Sequence, residues 1–79
     1  AYNARGYTYL RLTKFDRAVA DFSEAIRLQP NYINAYVNRS VARKHMGDNG
    51  GAVADQRKAA QLITGDQLAA SKPPLSASR

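Results

Sequence analysis

Two parts of this 79-residue chain repeat one another at a fixed offset of 34 residues. Residues 18–21 (AVAD) return unchanged as residues 52–55. Further matches at the same offset are Ala1 with Ala35, Tyr2 with Tyr36, Arg5 with Arg39, Ala25 with Ala59 and Leu28 with Leu62. A constant period of this length is typical of a stacked helical repeat array. Because such arrays serve as binding surfaces, the period favours a binding protein over an enzyme.

Apolar and small residues recur at helical spacing in the first half of the chain. The first stripe is Tyr2, Gly6, Tyr9, Leu10 and Thr13, and the second is Phe15, Ala18, Val19, Phe22, Ala25 and Ile26. Each stripe follows the spacing that places side chains on one face of an α-helix. The small residues allow two helix backbones to approach closely. The pattern therefore predicts a pair of packed helices.

Short polar residues mark where the predicted helices start. Thr13 is expected to cap the second helix, with Asp16 three residues later as a short capping box. Asn31 is expected to cap the third helix after Pro30 stops the second. The fourth helix would be capped by Asp48 or Asn49.

The repeated residues also resemble the tetratricopeptide repeat, a helix–turn–helix unit of 34 residues. The positions that match in the first repeat are Tyr2, Gly6, Tyr9, Phe15, Ala18, Phe22, Ala25 and Pro30. Those that match in the second are Tyr36, Ser40, Gly47, Ala52, Ala59 and Leu62. The second repeat departs from the pattern, because Asn49, Gln56 and Thr64 stand where Phe15, Phe22 and Pro30 stood. The resemblance implies an all-α fold of two helical hairpins.

Aligned in this way, the chain divides into repeats at residues 1–30 and 31–64. The helices are expected at about residues 1–12, 15–28, 32–46 and 50–63. Gly65 would end the fourth helix, and Asp66 would cap a short final helix. Two prolines at positions 73 and 74 would stop a third repeat, leaving residues 71–79 as a disordered tail.

Two repeats are fewer than the roughly three that such arrays usually need for stability. The chain also begins with Ala1 at the third position of a repeat. We therefore interpret it as the C-terminal part of a longer protein, or as a module that pairs with another copy. Pairing would use stacked repeat ends or exchanged helices, with Gly47, Gly50 and Gly51 as the hinge.

Two arginine–aspartate pairs recur with the period. Arg5 and Arg39 each precede an aspartate, Asp21 and Asp55, by 16 residues. An antiparallel helix pair would bring each arginine to its own aspartate, so we expect one ion pair in each repeat. The alternative for both arginines is ligand binding.

The resemblance also implies that the first helix of each repeat lines a binding groove. The candidate groove residues are Asn3, Ala4, Tyr7, Leu10 and Arg11 in the first repeat, and Asn34, Val37, Asn38, Val41, Lys44 and His45 in the second. Some family members grip a peptide carboxylate with paired lysine, arginine and asparagine side chains. Asn38 matches the asparagine of that clamp, whereas Asn3 and Tyr7 depart from it. The expected ligand is an extended or helical peptide with some acidic character, although Asn38 could instead bond backbone.

Charge and composition leave other functions with less support. The chain carries 12 Lys and Arg against 6 Asp and Glu, giving a net charge of +6. This balance makes weak anion or nucleic-acid binding a third possibility, but the basic residues are spread along the chain without interleaved aromatics. The densest spot, Arg43, Lys44 and His45, suits the negative end of a helix dipole. With one histidine and no cysteine, the sequence predicts no enzyme, cofactor or metal site.

Overall fold

The chain folds into four α-helices arranged as two consecutive hairpins. The computed structural model describes the backbone of residues 1–71 and the side chains of residues 1–64. The helices are α1 (Tyr2–Arg11), α2 (Phe15–Leu28), α3 (Ile33–His45) and α4 (Asn49–Ser71). Every regular element within the described backbone is helical, which confirms the predicted all-α class. None of these helices is both long and apolar enough to cross a membrane.

The order of contacts between helices is that of a stacked array. α1 packs on α2, α2 packs on α3, and α3 packs on α4. Neighbouring helices run antiparallel: Arg39 of α3 contacts Ser23 of α2, and His45 farther along α3 contacts Phe15 at the start of α2. α1 and α3 therefore run parallel, and they also contact one another directly.

The core is built around one aromatic ring and many small residues. Phe22, Ala18 and Ala42 have no exposed surface and form one cluster that joins α2 to α3. Gly6 of α1 lies directly against this cluster, since a Cβ atom placed on Gly6 would be 2.7 Å from Cε1 of Phe22. The other buried small residues are Ala25, Ala35, Ser40, Ala52 and Ala59. The close approach of the helices thus depends on side chains that occupy little space.

The helix starts differ from the predicted caps in two of three cases. Thr13 takes a positive φ of 59°, and its hydroxyl donates to the carbonyl of Leu12. Its backbone N–H completes the end of α1 by donating to Leu10, so Thr13 belongs to the turn and does not cap α2. The prediction for Asn31 is also wrong, because the turn at residues 29–32 makes Tyr32 the residue that precedes α3. Asp48 is confirmed as a cap, since its Oδ1 accepts the Gly51 N–H at 2.9 Å.

The fourth helix is longer than the sequence indicates. α4 continues through Gly65 and Asp66 to Ser71, so the predicted stop and the separate short helix are replaced by one helix. A glycine inside a helix costs only about 1 kcal/mol relative to alanine, which is too little to end a helix on its own. Of the predicted tail, residues 72–79 lie outside the described residues.

Replacing Gly6 by alanine is expected to destabilise the fold by about 1–3 kcal/mol, because the added methyl group overlaps the buried ring of Phe22. Gly50→Ala is the matched control, since nothing lies within 4 Å of its Cβ position and alanine favours the helix by up to about 1 kcal/mol. Urea denaturation followed by circular dichroism measures both changes. Equal stability of the two variants would contradict the proposed close approach of α1 to Phe22.

Candidate functional site

The predicted groove residues lie on α1 and α3, the first helices of the two hairpins. We call the surface formed by their exposed members the helix A face. Its exposed residues are Ala4, Tyr7, Arg11, Asn34, Val37, Val41, Lys44 and His45. Asn3, Leu10 and Asn38 are half-buried. Leu10 and His45 also make packing contacts.

Large apolar side chains stand exposed in the middle of the helix A face. Val37 and Val41 are one turn apart on α3 and are 42% and 38% exposed. Tyr7 occupies the position of Val41 in the first repeat and is 48% exposed. Both repeats therefore present an apolar side chain at the same place.

A chain of side-chain hydrogen bonds joins α1 to α3 near the N-terminal ends of the two helices. Asn38 donates from Nδ2 to Oδ1 of Asn3 at 3.3 Å, and Asn3 donates from Nδ2 to the hydroxyl of Tyr32 at 3.2 Å. The sequence predicts Asn38 either as a clamp residue or as a residue that bonds backbone. Its observed partner is a side chain of the neighbouring repeat.

Two of the predicted groove residues are engaged in packing. Leu10 is half-buried against the cluster of Ala18, Phe22 and Ala42. His45 is exposed, but its ring stacks on Phe15, with centroids 4.8 Å apart and planes 2° from parallel. These contacts connect the end of α3 to the start of α2, so both residues contribute to structure.

The predicted ion pairs are confirmed in both repeats. Arg5 donates from Nε and Nη2 to the two carboxylate oxygens of Asp21, at 2.8 and 2.9 Å. Arg39 binds Asp55 in the same two-pronged way, at 2.9 and 2.7 Å. The hydrogen bonds from Arg5 lower the pKa of Asp21 below its usual range. Each pair ties the two helices of its own hairpin together.

The pair in the second repeat is part of a larger network that the sequence reasoning missed. Asp55 also accepts a hydrogen bond from Nη1 of Arg43 at 3.0 Å, and Arg39 donates from Nη1 to the Ser23 hydroxyl at 3.0 Å. The 34-residue period could have indicated the contact of Arg43 with Asp55. Arg43 stands at the position of Tyr9, on the side of the first helix that faces the second helix of the same repeat. Nothing in the sequence pattern indicated the contact with Ser23, which crosses between repeats.

Comparison with known proteins supports the assignment of these hairpins. A sequence model of the tetratricopeptide repeat matches residues 1–32. The chain is 46% identical over 37 residues to the chloroplastic tetratricopeptide repeat domain-containing protein PYG7 of Arabidopsis thaliana, which is 47% of this chain and 12% of that protein. It is 32% identical over 69 residues to mouse sperm-associated antigen 1, covering 87% of this chain and 8% of that protein. With human tetratricopeptide repeat protein 28 it shares 30% over 81 aligned residues, covering 94% of this chain and 3% of that protein.

These matches identify the class of protein. The chain belongs to the tetratricopeptide repeat family, whose members generally mediate protein–protein interaction. It spans at most 12% of the length of these three relatives. No solved structure gives a significant match. The second hairpin lies largely beyond the residues that the family model matches, and its assignment depends on the 34-residue offset and on the α3–α4 pairing.

Replacing Asp55 by alanine is expected to cost about 3 kcal/mol of folding stability, because it leaves two partly buried arginines without their acceptor. Asp21→Ala removes an equally buried carboxylate but frees only Arg5, whose side chain is 60% exposed and can be hydrated. We therefore expect a smaller loss for Asp21→Ala. Chemical denaturation of both variants tests the ranking, and a larger loss for Asp21→Ala would contradict the observed network.

Acid should weaken the fold partly through Asp21. Because the folded-state pKa of Asp21 is lowered, its ion pair contributes stability above the unfolded pKa of about 3.9 and loses that contribution as the pH falls through the folded value. The unfolding free energy of the Asp21→Asn variant should therefore fall less steeply below about pH 4 than that of the native chain. Denaturation curves at a series of pH values measure this, with Asp16→Asn, an exposed carboxylate on the same helix, as control. Identical slopes for native and Asp21→Asn would exclude the pairing in solution.

Proposed function

We propose that this chain is a non-enzymatic interaction module that binds a peptide on its helix A face. The observation that carries the proposal is the set of exposed apolar side chains, Tyr7, Val37 and Val41, at the centre of that face. Exposed apolar side chains grouped on one surface mark interaction sites more often than isolated ones do. Tyrosine in addition supplies a large contact area and a hydroxyl for hydrogen bonding.

The chemistry of the face changes along the helices in the same order in both repeats. On α1, Asn3, Tyr7 and Arg11 follow at steps of four residues, so amide, aromatic and cation share one stripe. On α3, Asn38, Val41 and Lys44 follow at steps of three residues, and of these only Val41 stands at the 34-residue equivalent of its α1 counterpart, Tyr7. Since α1 and α3 run parallel, the amide ends lie together, as the Asn3–Asn38 hydrogen bond shows, and the cationic ends lie at the opposite end. This order supports a ligand with an apolar group beside a carboxylate.

Asn3 and Asn38 retain hydrogen-bonding groups that a ligand could use. A carboxamide can make four hydrogen bonds, and among the described side chains Asn3 makes two and Asn38 makes one. The remaining positions suit the alternating N–H and C=O groups of an extended peptide. Arg11 and Lys44 would attract an acidic residue, and such exposed charges influence partner choice and association rate more than affinity.

Self-association remains the alternative function. It would use either the ends of the array, which are the outer surfaces of α1 and α4, or an exchange of helices between copies. Stacking of the ends would leave the helix A face open. Weak anion or nucleic-acid binding through the net charge of +6 is the third candidate. A steep loss of binding with added salt would favour the third candidate, because counterion release dominates binding to nucleic acids.

Selection from a phage-displayed random-peptide library tests the proposal. Peptides that bind the native chain should lose about tenfold or more in affinity for the Tyr7→Ala and Val41→Ala variants, since each substitution removes apolar contact area from the centre of the site. Fluorescence anisotropy with the selected peptides gives the dissociation constants.

Val53→Ala is the matched control for Val41→Ala. Val53 undergoes the same substitution at similar exposure, 46% against 38%, but it lies on α4. It should leave peptide affinity unchanged. Selected peptides whose binding is indifferent to Tyr7 and Val41, or a library that yields no binder at all, would contradict the proposed site.

A further inference from the structure

The turns that close the two hairpins lie side by side at one edge of the array. The first turn joins α1 to α2, and the second joins α3 to α4. The ring of His45, at the end of α3, stacks on Phe15, at the start of α2. Met46 of the second turn shares a cavity of about 330 Å³ with residues 13–17 of the first. The two turns therefore form one continuous surface.

We call residues 11–17 and 43–48 the turn edge, and each repeat presents one large apolar side chain there. Leu12 is 57% exposed and Met46 is 47% exposed. The two residues are 34 positions apart, and each directly follows the first helix of its repeat. Apolar groups that stand together on a surface point to a contact with another surface.

The turn edge is also basic. Its residues include five Lys and Arg against two Asp. One aspartate, Asp48, is offset within the edge by Arg43, whose Nε lies 3.8 Å from its carboxylate. The exposed cations that remain, against one further carboxylate at Asp16, are Arg11, Lys14, Arg17 and Lys44. The apolar pair is thus surrounded by positive charge.

The turn at the other end of the helices has a similar apolar group without this charge. Leu28, at the end of α2, is 59% exposed, close to the value for Leu12. Arg27 beside it forms an ion pair with Glu24 of the same helix. The turn that joins α2 to α3 therefore differs from the turn edge in charge and not in apolar exposure.

We infer that the turn edge docks on a membrane surface that contains anionic phospholipids. Binding to such a surface grows with the apolar area inserted and with the attraction of Lys and Arg to anionic headgroups. Leu12 and Met46 supply the inserted groups, and the surrounding cations lie at the level of the lipid phosphates. Two turns at the ends of helices form a protruding surface, which a lipid plane can contact on all sides. This docking leaves the helix A face available for a peptide.

The apolar pair favours lipid over nucleic acid as the anionic partner. Proteins hold single-stranded nucleic acid by stacking its bases on aromatic side chains, and they contact duplex phosphates with polar and cationic groups. Leu12 and Met46 are not aromatic, and Phe15 is half-buried with His45 stacked on its ring. An acidic protein surface would match the charge as well, and the experiment separates it from lipid.

Flotation of the full chain with lipid vesicles tests the inference. The chain should float with vesicles of equal parts phosphatidylcholine and phosphatidylserine, and it should stay unbound with vesicles of phosphatidylcholine alone. Lys14→Ala should lower the partition coefficient about fivefold, the factor typical of one basic residue near anionic lipid. Leu12→Ala should lower it about threefold or more, because apolar area is lost from the inserted surface. Tyr7→Ala should float like the native chain, so lipid binding and peptide binding can fail separately.

Leu28→Ala and Lys58→Ala are the matched controls. The first removes the same side chain as Leu12→Ala at similar exposure, and the second removes the same charge as Lys14→Ala from the exposed surface of α4. Both should partition like the native chain, with circular dichroism verifying intact helices.

Three results would overturn the inference: no flotation with the anionic vesicles, binding that Leu12→Ala leaves unchanged, or equal losses for Lys14→Ala and Lys58→Ala. Polyglutamate provides the remaining comparison. If it binds the native chain in a Lys14-dependent way while the vesicles do not, the turn edge belongs to an acidic protein partner and the inference is wrong.

Discussion

The contact on which the rest of the structure depends is that of Phe22 with Gly6 and Ala42. One ring, fully buried, touches the backbone of α1 on one side and the surface of α3 on the other. It therefore joins the two helices of the first hairpin and also joins the first hairpin to the second. Among the described residues Phe22 is the largest side chain with no exposed surface, since Tyr36, the other buried aromatic residue, is 8% exposed. The fully buried apolar cluster of Ala18, Phe22 and Ala42 thus lies at the junction of the repeats.

The second hairpin is held by different chemistry. Gln56 replaces Phe22 and is exposed, while Arg43 replaces Tyr9 and turns toward Asp55. The carboxylate of Asp55, 3% exposed as a residue, accepts hydrogen bonds from two arginines, whereas Asp21 accepts from one. Buried ion pairs add little net stability but penalise any arrangement that separates them. Both repeats have an ion pair, but the second adds Arg43 to its pair where the first adds the buried ring of Phe22.

The sequence predicts the parts of this structure that repeat and misses the parts that do not. The 34-residue offset predicts the two hairpins. The 16-residue spacing from Arg5 to Asp21, repeated from Arg39 to Asp55, predicts both ion pairs. Helix caps are less predictable, because Thr13 is a residue type that favours a cap but adopts a left-handed backbone conformation that the sequence pattern does not indicate. The stacking of His45 on Phe15 depends on the stagger between α2 and α3, which no spacing within one helix determines. For the helix A face, the sequence indicates which residues lie on one side of a helix. It does not indicate which of them pack against the core, as Leu10 does.

The helix A face combines side-chain amides, exposed apolar side chains and cations, a mixture that matches an extended peptide with its own polar backbone. The residues that would bind such a peptide are separate from those that close the hairpins. Arg5 and Arg39 make the ion pairs with Asp21 and Asp55, whereas Tyr7, which is 48% exposed, takes part in neither. A substitution at Tyr7 can therefore change ligand binding without loss of either ion pair, whereas a substitution at Arg5 acts first on the stability of the first hairpin.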